Sequence, residues 1–383
     1  MSQPFKFYEF FCGGGMARAG LGQNWECVFA NDIDSKKAES YRSNWGGNTL
    51  KLSDVALVQT RELPGQADLV WASFPCQDLS LAGMGAGLKG DRSGTFWPFW
   101  KKITALKQEN RNPKIVVLEN VCGALTSHEG KDFTAICEAL EKEGYKFGAV
   151  VIDAVDFLPQ SRPRLFIIGV QNDLMSLDHL RKDSPDDKWH TDALVKAYSQ
   201  LNTATKASWI WWNLPYPANR AVNLADIIEK KPTTVKWHSE EQTNRLIELM
   251  SPVNLAKLQK VRKEKRLKVG TIYRRTRTNS DGTKNQRAEI RFDDIAGCLR
   301  TPTGGSSRQI IMIVNGQSVR SRLLSSREAA RLMGLPDNYK LPENYNDSYH
   351  LLGDGIAVPV VSHIAKHLLE PILSDIGKAK KVA

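Results

Sequence analysis

With 383 residues the chain is longer than one small core requires, and ordinary domain sizes predict about two domains. Its 41% hydrophobic and 25% charged content is that of a soluble globular protein, and no apolar run approaches the roughly 18 residues of a bilayer span, which argues against a membrane protein and for a cytoplasmic one without a secretory signal. A net charge of +11 and a pI near 9.3 ask for a polyanionic partner.

Residues 5–170 alternate apolar, strand-like runs with amphipathic segments. The runs are Phe5–Phe11, Glu26–Ala30, Ala67–Ser73, Lys114–Leu118, Lys146–Ile152 and Arg164–Val170. This βαβα order predicts an α/β domain with a mostly parallel sheet covered by helices. After the first strand, Phe11-Cys12-Gly13-Gly14-Gly15 leads into a helix-like run, Met16–Leu21. Glycines here let the backbone come close to a ligand, although many such sequences are only turns. Asn31-Asp32-Ile33-Asp34 closes the second strand, where an acidic side chain can hold ribose hydroxyls; glycine turn and acid together predict a nucleoside site. No Gly-x-x-x-x-Gly-Lys-Ser/Thr occurs, which argues against nucleotide hydrolysis.

The third run ends at Ser73-Phe74-Pro75-Cys76-Gln77, so Cys76 falls on the loop at a strand's carboxyl end, where open α/β sheets place their ligands. A lone cysteine can equally be a small buried hydrophobe. The six cysteines, at 12, 27, 76, 122, 137 and 298, form no Cys-x-x-Cys pair, so neither a disulfide scaffold nor a metal site is expected. Glu119-Asn120-Val121 ends the next strand and brings a carboxylate to the same edge, either to carry a proton for a substrate or as a plain strand-end acid. Gln160-Ser161-Arg162-Pro163-Arg164 opens a later strand. Two guanidinium groups at spacing two on extended backbone are predicted to point the same way, toward a phosphate, carboxylate or base edge, or into surface ion pairs.

Residues 172–320 lose the alternation. They carry Trp209, Trp211, Trp212 and many prolines and glycines, and are read as a second, smaller, irregular domain. Lys260–Arg287 holds eleven Lys/Arg against Glu264 and Asp281, a local +9 in 28 residues, either a solvated face or a nucleic-acid contact surface. Helical periodicity returns at Ser326–Met333, ended by Gly334 and Pro336; a last helix follows Pro359 through Leu369, and Lys378–Lys381 reads as a frayed tail.

In chain order these pieces resemble the DNA (cytosine-5)-methyltransferase family, which uses S-adenosylmethionine. The resemblance rests on the Phe11–Gly15 loop, Asp32, Asp54 in Ser53-Asp54-Val55, Phe74-Pro75-Cys76-Gln77, Glu119-Asn120-Val121, Gln160-x-Arg162-x-Arg164 and Arg327-Glu328-Ala329-Ala330-Arg331-Leu332-Met333-Gly334-Leu335-Pro336, and covers about 1–171 and 320–370. Two departures stand out. Met16 occupies the last glycine of the family's Gly-x-Gly-Gly, and Ile356 replaces the asparagine of its late Gly-Asn-Ala-Val-Pro motif, with Asp354 nearby.

The resemblance implies a Rossmann-like methyltransferase fold in which 1–171 bind cofactor and catalyse, 172–320 recognise the target, and 321–383 return to the catalytic domain. It implies methylation of carbon 5 of cytosine in a specific double-stranded DNA sequence, as the modification half of a restriction-modification system. Cys76 would be the nucleophile on a flipped-out base, assisted by Glu119, Arg162 and Arg164. Phe11, Gly13, Gly15, Asp32, Ile33, Asp54, Pro75, Ala357 and Val358 would line the S-adenosylmethionine site, later holding S-adenosylhomocysteine. Gln77, Ser80 and Arg92, on or near a glycine-rich loop, with Arg274, Arg275, Arg277, Gly304, Gly305, Arg308 and Gln309, would contact DNA. A monomer is expected, with a cognate endonuclease sharing the site but not bound. The alternatives are an RNA cytosine-5 methyltransferase, against which the long basic insert argues, and a non-catalytic DNA-binding regulator, against which an intact Cys76, Glu119 and Arg164 argue.

Overall fold

The computed structural model describes residues 3–75, 95–172, 178–278, 282–300 and 308–382. Cys76, Gln77, Ser80, Arg92, Gly304 and Gly305 lie outside the described residues. The chain divides into two compact units: 1–153, 163–217 and 358–383 form the first, and 154–162 with 218–357 the second.

The first unit opens with β1 (Phe5–Phe10), α1 (Met16–Leu21), β2 (Trp25–Asp32), α2 (Ser35–Trp45), β3 (Leu50–Leu52) and β4 (Leu69–Ala72). It continues through α3 (Phe96–Gln108), β5 (Ile115–Asn120), α4 (Lys131–Lys142), β6 (Tyr145–Asp153) and β7 (Pro163–Gln171). Each sequence-predicted strand is present, shifted by at most a few residues. Their order in space is β3-β2-β1-β4-β5-β7-β6, with β7 antiparallel to both neighbours and the remaining pairs parallel. β1, β4 and β5 are buried on both faces, as a covered parallel sheet requires. Strand order reverses direction between β1 and β4, the crevice where such sheets bind ligands.

After β7 come β8 (Arg181–Lys182), α5 (Asp192–Ser199), α6 (Thr203–Ala207) and β9 (Trp211–Trp212). The three tryptophans expected in a separate domain belong to this first unit. Trp209 bridges to Phe147 of β6, and the Ile210 carbonyl lies so close to Gly148 that a Cβ there would meet it at 1.8 Å.

The second unit holds α7 (Leu224–Ile227), α8 (Glu240–Glu248), α9 (Pro252–Lys263), β10 (Leu267–Thr278), β11 (Lys284–Arg291), β12 (Ile310–Asn315), β13 (Ser318–Leu323), α10 (Ser326–Leu332) and α11 (Tyr345–Asp354). The region read as irregular therefore contains an antiparallel four-stranded sheet, β11-β10-β12-β13. Its apolar face (Ile272, Ala288, Ile290, Ile310, Met312) packs on Leu246, Leu258 and Val261 of α8 and α9. The strands escaped the sequence reading because β10 ends and β11 begins in exposed, mostly polar and charged residues that mask the period-two pattern.

The chain ends with α12 (Val358–Ile364), a π-helical turn at Ala365–Leu369 and α13 (Glu370–Val382), so the segment read as a frayed tail is helical. α12 lies on α1 so closely that a Cβ at Gly20 would sit 2.4 Å from Val361 Cβ. One 18-residue window within Tyr345–Ile376 reaches a mean hydropathy of 1.3, enough by length and composition to cross a membrane, against the sequence expectation of no such run; 61% of that window is buried inside the protein.

Candidate active site

The sheet register brings the candidate residues of the first unit to one edge. Phe10 pairs with Ala72, and Ala72 with Leu118, so the loops after β1, β4 and β5 leave side by side. These loops carry Phe11–Gly15, Ser73–Pro75 and Val121, with Glu119 and Asn120 at the last positions of β5. Asn120 extends its amide to the Phe74 carbonyl at 3.5 Å, at the long end for a hydrogen bond, and accepts from the Val121 N–H at 2.9 Å. It thereby ties the end of β5 to the backbone two residues before Cys76.

Glu119 is buried to 7% exposure and pairs with Arg164, the guanidinium Nε standing 3.2 Å from Oε1. The pair forms because β7 runs antiparallel to β5: Asn120 faces Leu165, which puts the first residues of β7 beside the last of β5. Cys122, just beyond, is half-buried, and burial pushes its thiol up to about 11 with Arg164 opposing, so it is not a thiolate at neutral pH.

Arg162 does not share this arrangement. It is fully buried and donates to the carbonyls of Leu299 (3.1 Å), Gly353 (2.8 Å) and Gly355, all in the second unit. The expectation that Arg162 and Arg164 point the same way fails because regular strand geometry starts only at Pro163. Gln160 behaves similarly, donating to the Leu332 carbonyl at 2.6 Å and accepting from the Leu299 N–H at 3.1 Å. Arg162 and Gln160 knit the second unit together.

At the carboxyl ends of β1 to β3 the geometry suits a nucleoside. Asp32, 8% exposed, accepts the Gly13 N–H at 2.7 Å on one carboxylate oxygen and the Asp34 N–H at 2.9 Å on the other. Each oxygen keeps a second lone pair for a ligand hydroxyl. Next to it Ile33 is 69% exposed, and Leu52, which follows from the Asp32–Leu52 register, and Leu57 are also exposed. Ile33 and Leu52, large apolar side chains left uncovered at the ends of β2 and β3, are what a flat heteroaromatic ring would cover. Asp54 caps the short helical turn Val55–Leu57, accepting from Ala56 N–H at 2.8 Å.

The glycine loop itself is held under strain. Phe11, a bulky residue, has φ +57°, and Gly13 and Gly15 have φ +52° and +76°. A Cβ at Gly13 would meet nothing within 4 Å, leaving its face open to a ligand, whereas one at Gly15 would lie 2.4 Å from Trp45 Nε1. These residues therefore fit an adenosyl group: an acid for the ribose, an apolar patch for the base, and open backbone between them.

Sequence reasoning missed the groups that hold this loop. Trp45 of α2 donates its indole N–H to the Gly14 carbonyl at 2.9 Å, and Arg18 lies over the Trp45 ring at 4.9 Å while donating to the Tyr41 hydroxyl at 2.9 Å. Asn31 anchors the β3 end through the Lys51 and Ser53 carbonyls at 3.0 and 2.8 Å. Glu9, buried in β1, is pushed up to about 8 chiefly by burial, against the pull of Arg18. These roles come from partners well separated along the chain, and no local motif carries them.

In the second unit Ile356 and Ala357 are buried and Asp354 is exposed, and Val358 begins α12 of the first unit. Arg274, Arg275 and Arg277 stand exposed at the outer end of β10. Arg275 sits directly across from Arg287, a like-charge pairing that a sheet tolerates at a cost, partly offset by Glu289 at 3.3 Å from Arg275 and 2.5 Å from Arg277. Arg308 reaches Asn346 and lies over the Tyr345 ring at 5.7 Å. Gln309, expected to face DNA, is instead fully buried and donates to the Ile272 carbonyl at 3.2 Å, because it leads into β12. Among the described residues no cluster of three or more His, Cys, Asp or Glu could hold a metal.

Comparison with known proteins accords with this geometry. The chain is 25% identical to the type II methyltransferase M.HpaII of Haemophilus parainfluenzae, over 97% of this chain and 91% of that one. It is 26% identical to the type II methyltransferase M.HhaI of Haemophilus parahaemolyticus, over 95% and 94%. Among solved structures it resembles the Dnmt2 methyltransferase of S. pombe with a TM-score of 0.61, 18% identity and coverage of 96% and 99%, a likeness of fold. The profile of the C-5 cytosine-specific DNA methylases matches residues 5–370, and the chain belongs to that family.

Proposed function

We propose that this protein methylates carbon 5 of cytosine within a specific double-stranded DNA sequence, as the modification half of a restriction-modification system, with Cys76 as a transient nucleophile. The observation that carries the reading is the Glu119–Arg164 pair, at 3.2 Å, on the sheet edge from which the loop to Cys76 leaves.

The Cys76 thiolate adds to carbon 6 of a flipped-out cytosine, and the electron pair released from the 5,6 double bond is drawn toward ring nitrogen 3. Glu119 hydrogen-bonds or protonates that nitrogen, and Arg164 holds the Glu119 carboxylate and the ring carbonyl in place. S-adenosylmethionine, when bound, supplies the electrophilic methyl group that carbon 5 takes. Loss of the carbon 5 proton to solvent then restores the double bond and expels Cys76 as thiolate. Phe11, Gly13, Gly15, Asp32, Ile33, Asp54 and Pro75 hold the methyl donor, Asp32 on the ribose and Ile33 against the adenine. Of residues 172–320, the part in the second unit, 218–320, contributes target recognition, with Arg275 and Arg277 on phosphates.

The test is a covalent trap. Duplex DNA carrying 5-fluorocytosine, incubated with S-adenosylmethionine, becomes attached to Cys76, because fluorine at carbon 5 blocks the final elimination. Cys76→Ser abolishes both the adduct and methyl transfer while leaving DNA affinity within about tenfold. Methyl transfer surviving in that variant, or an adduct forming on RNA and on no duplex DNA, overturns the assignment.

A further inference from the structure

The second unit contains a groove of about 570 Å³, within the roughly 300–1,000 Å³ of small-ligand sites. It opens where the apolar face of the sheet runs out from under α8. Along β10 the face continues from buried Ile272 to Arg274, and along β11 from Ile290 through Ala288 to Gln286. Leu246, Leu249, Ile310 and Leu323 give the groove an apolar floor. Its polar groups are three guanidiniums, two carboxamides and one imidazole, and among the described residues no carboxylate lines it.

Several of these groups are already oriented by a second partner. Arg245 pairs with Glu241 at 2.5 Å, the Gln242 carboxamide accepts the Ser239 N–H at 2.9 Å, and His238 Nδ1 meets Ser321 Oγ at 2.9 Å. Burial and the nearby Arg274 lower the His238 pKa, favouring its neutral form.

An apolar floor repels a bare phosphate but suits the face of a base or a thymine methyl, while Arg and Gln at the wall are the side chains that grip guanine and adenine edges. We propose that this groove receives a nucleotide flanking the target cytosine and that Arg274 and Gln286 read its base, making them specificity-determining residues. The inference rests on the reading that the protein acts on DNA. It goes beyond that reading by naming which side chains choose the sequence.

Selection of bound duplexes from a pool of randomised sequence, read by sequencing, tests this without requiring methyl transfer. The full-length protein enriches one sequence, and the Arg274→Ala, Gln286→Ala double variant relaxes preference at one position by about tenfold or more, the other positions unchanged. Both side chains are exposed, so the fold is retained, and a thermal melt checks it. The inference is overturned if the variant enriches the same sequence as strongly, if affinity falls equally for all sequences as a phosphate contact alone would cause, or if the unaltered protein enriches no sequence. Absence of the Cys76 adduct with enrichment intact counts against the catalytic reading and not against the groove.

Discussion

Arg164 and Glu9 show how much a single buried charge can decide. Arg164 meets Glu119 through its guanidinium Nε and is itself largely covered, so a lysine would keep the charge but not the planar geometry of the contact. Arg164→Lys is expected to slow methyl transfer roughly 100-fold while leaving S-adenosylmethionine affinity within twofold, measured as kcat against cofactor Kd. Glu9 lies deep in β1, and burial raises it from 4.5 to about 8. The folded protein then holds a proton that the unfolded chain has released between those values, so the stability tied to Glu9 is full below pH 4.5 and declines as pH rises to about 8. The Tm of the wild type should fall across that window more steeply than that of Glu9→Gln; equal slopes would show that Glu9 is ionised in the fold. The proton held by Glu9 was not legible locally, since in the sequence Glu9 only interrupts the apolar run Phe5–Phe11.

Elements explain why the motifs have their residue types. In Arg327–Pro336, Glu328 is fully buried and accepts from both Arg322 guanidinium NH groups at 2.7 and 2.6 Å, from Ser325 N–H at 2.8 Å and from Glu229 N–H at 2.7 Å. It completes the capping box that starts α10, and Arg331 reaches on to Asp337 and the Ile227 carbonyl. This motif is scaffolding for the second unit. Glu328→Gln leaves a buried guanidinium without its counter-charge and is expected to destabilise the protein by about 3–5 kcal/mol, measured by denaturant unfolding. In the glycine loop, Trp45→Phe keeps the ring beneath Arg18 but removes the N–H that holds Gly14. Losing one hydrogen bond, worth about 1 kcal/mol, should weaken cofactor binding about fivefold with kcat little changed. Gly15→Ala should do worse, since it meets both Trp45 and a positive φ.

At the scale of the molecule, most of the excess positive charge lies in Lys260–Arg287, which runs from the end of α9 into the β10–β11 hairpin. Arg275 facing Arg287 across β10 and β11 is costly in isolation and is relieved by a polyanion. Neutralising Arg275, Arg277 and Arg287 together should flatten the dependence of log Kd on log salt by about 0.9 for each DNA phosphate that these side chains no longer neutralise. An unchanged slope would remove the hairpin from the DNA surface. The compact units cut the chain at 153, 162, 217 and 357, so residues 163–217 pack with the catalytic sheet although they lie beyond the last alternating strand. Trp209 and Trp212 serve that packing.

The sequence by itself determined the α/β class, the strands and the motif residues of the first unit. Those signals are local: a buried parallel strand is a continuous apolar run, and ligand-binding loops follow strand ends. Only the tertiary structure decided the partners. Antiparallel register, not spacing, puts Arg164 against Glu119, and the start of β7 at Pro163 sends Arg162 to a different set of carbonyls. A side chain's role depends on what surrounds it, and for Arg162 those surroundings come from carbonyls 137 to 193 positions further along the chain.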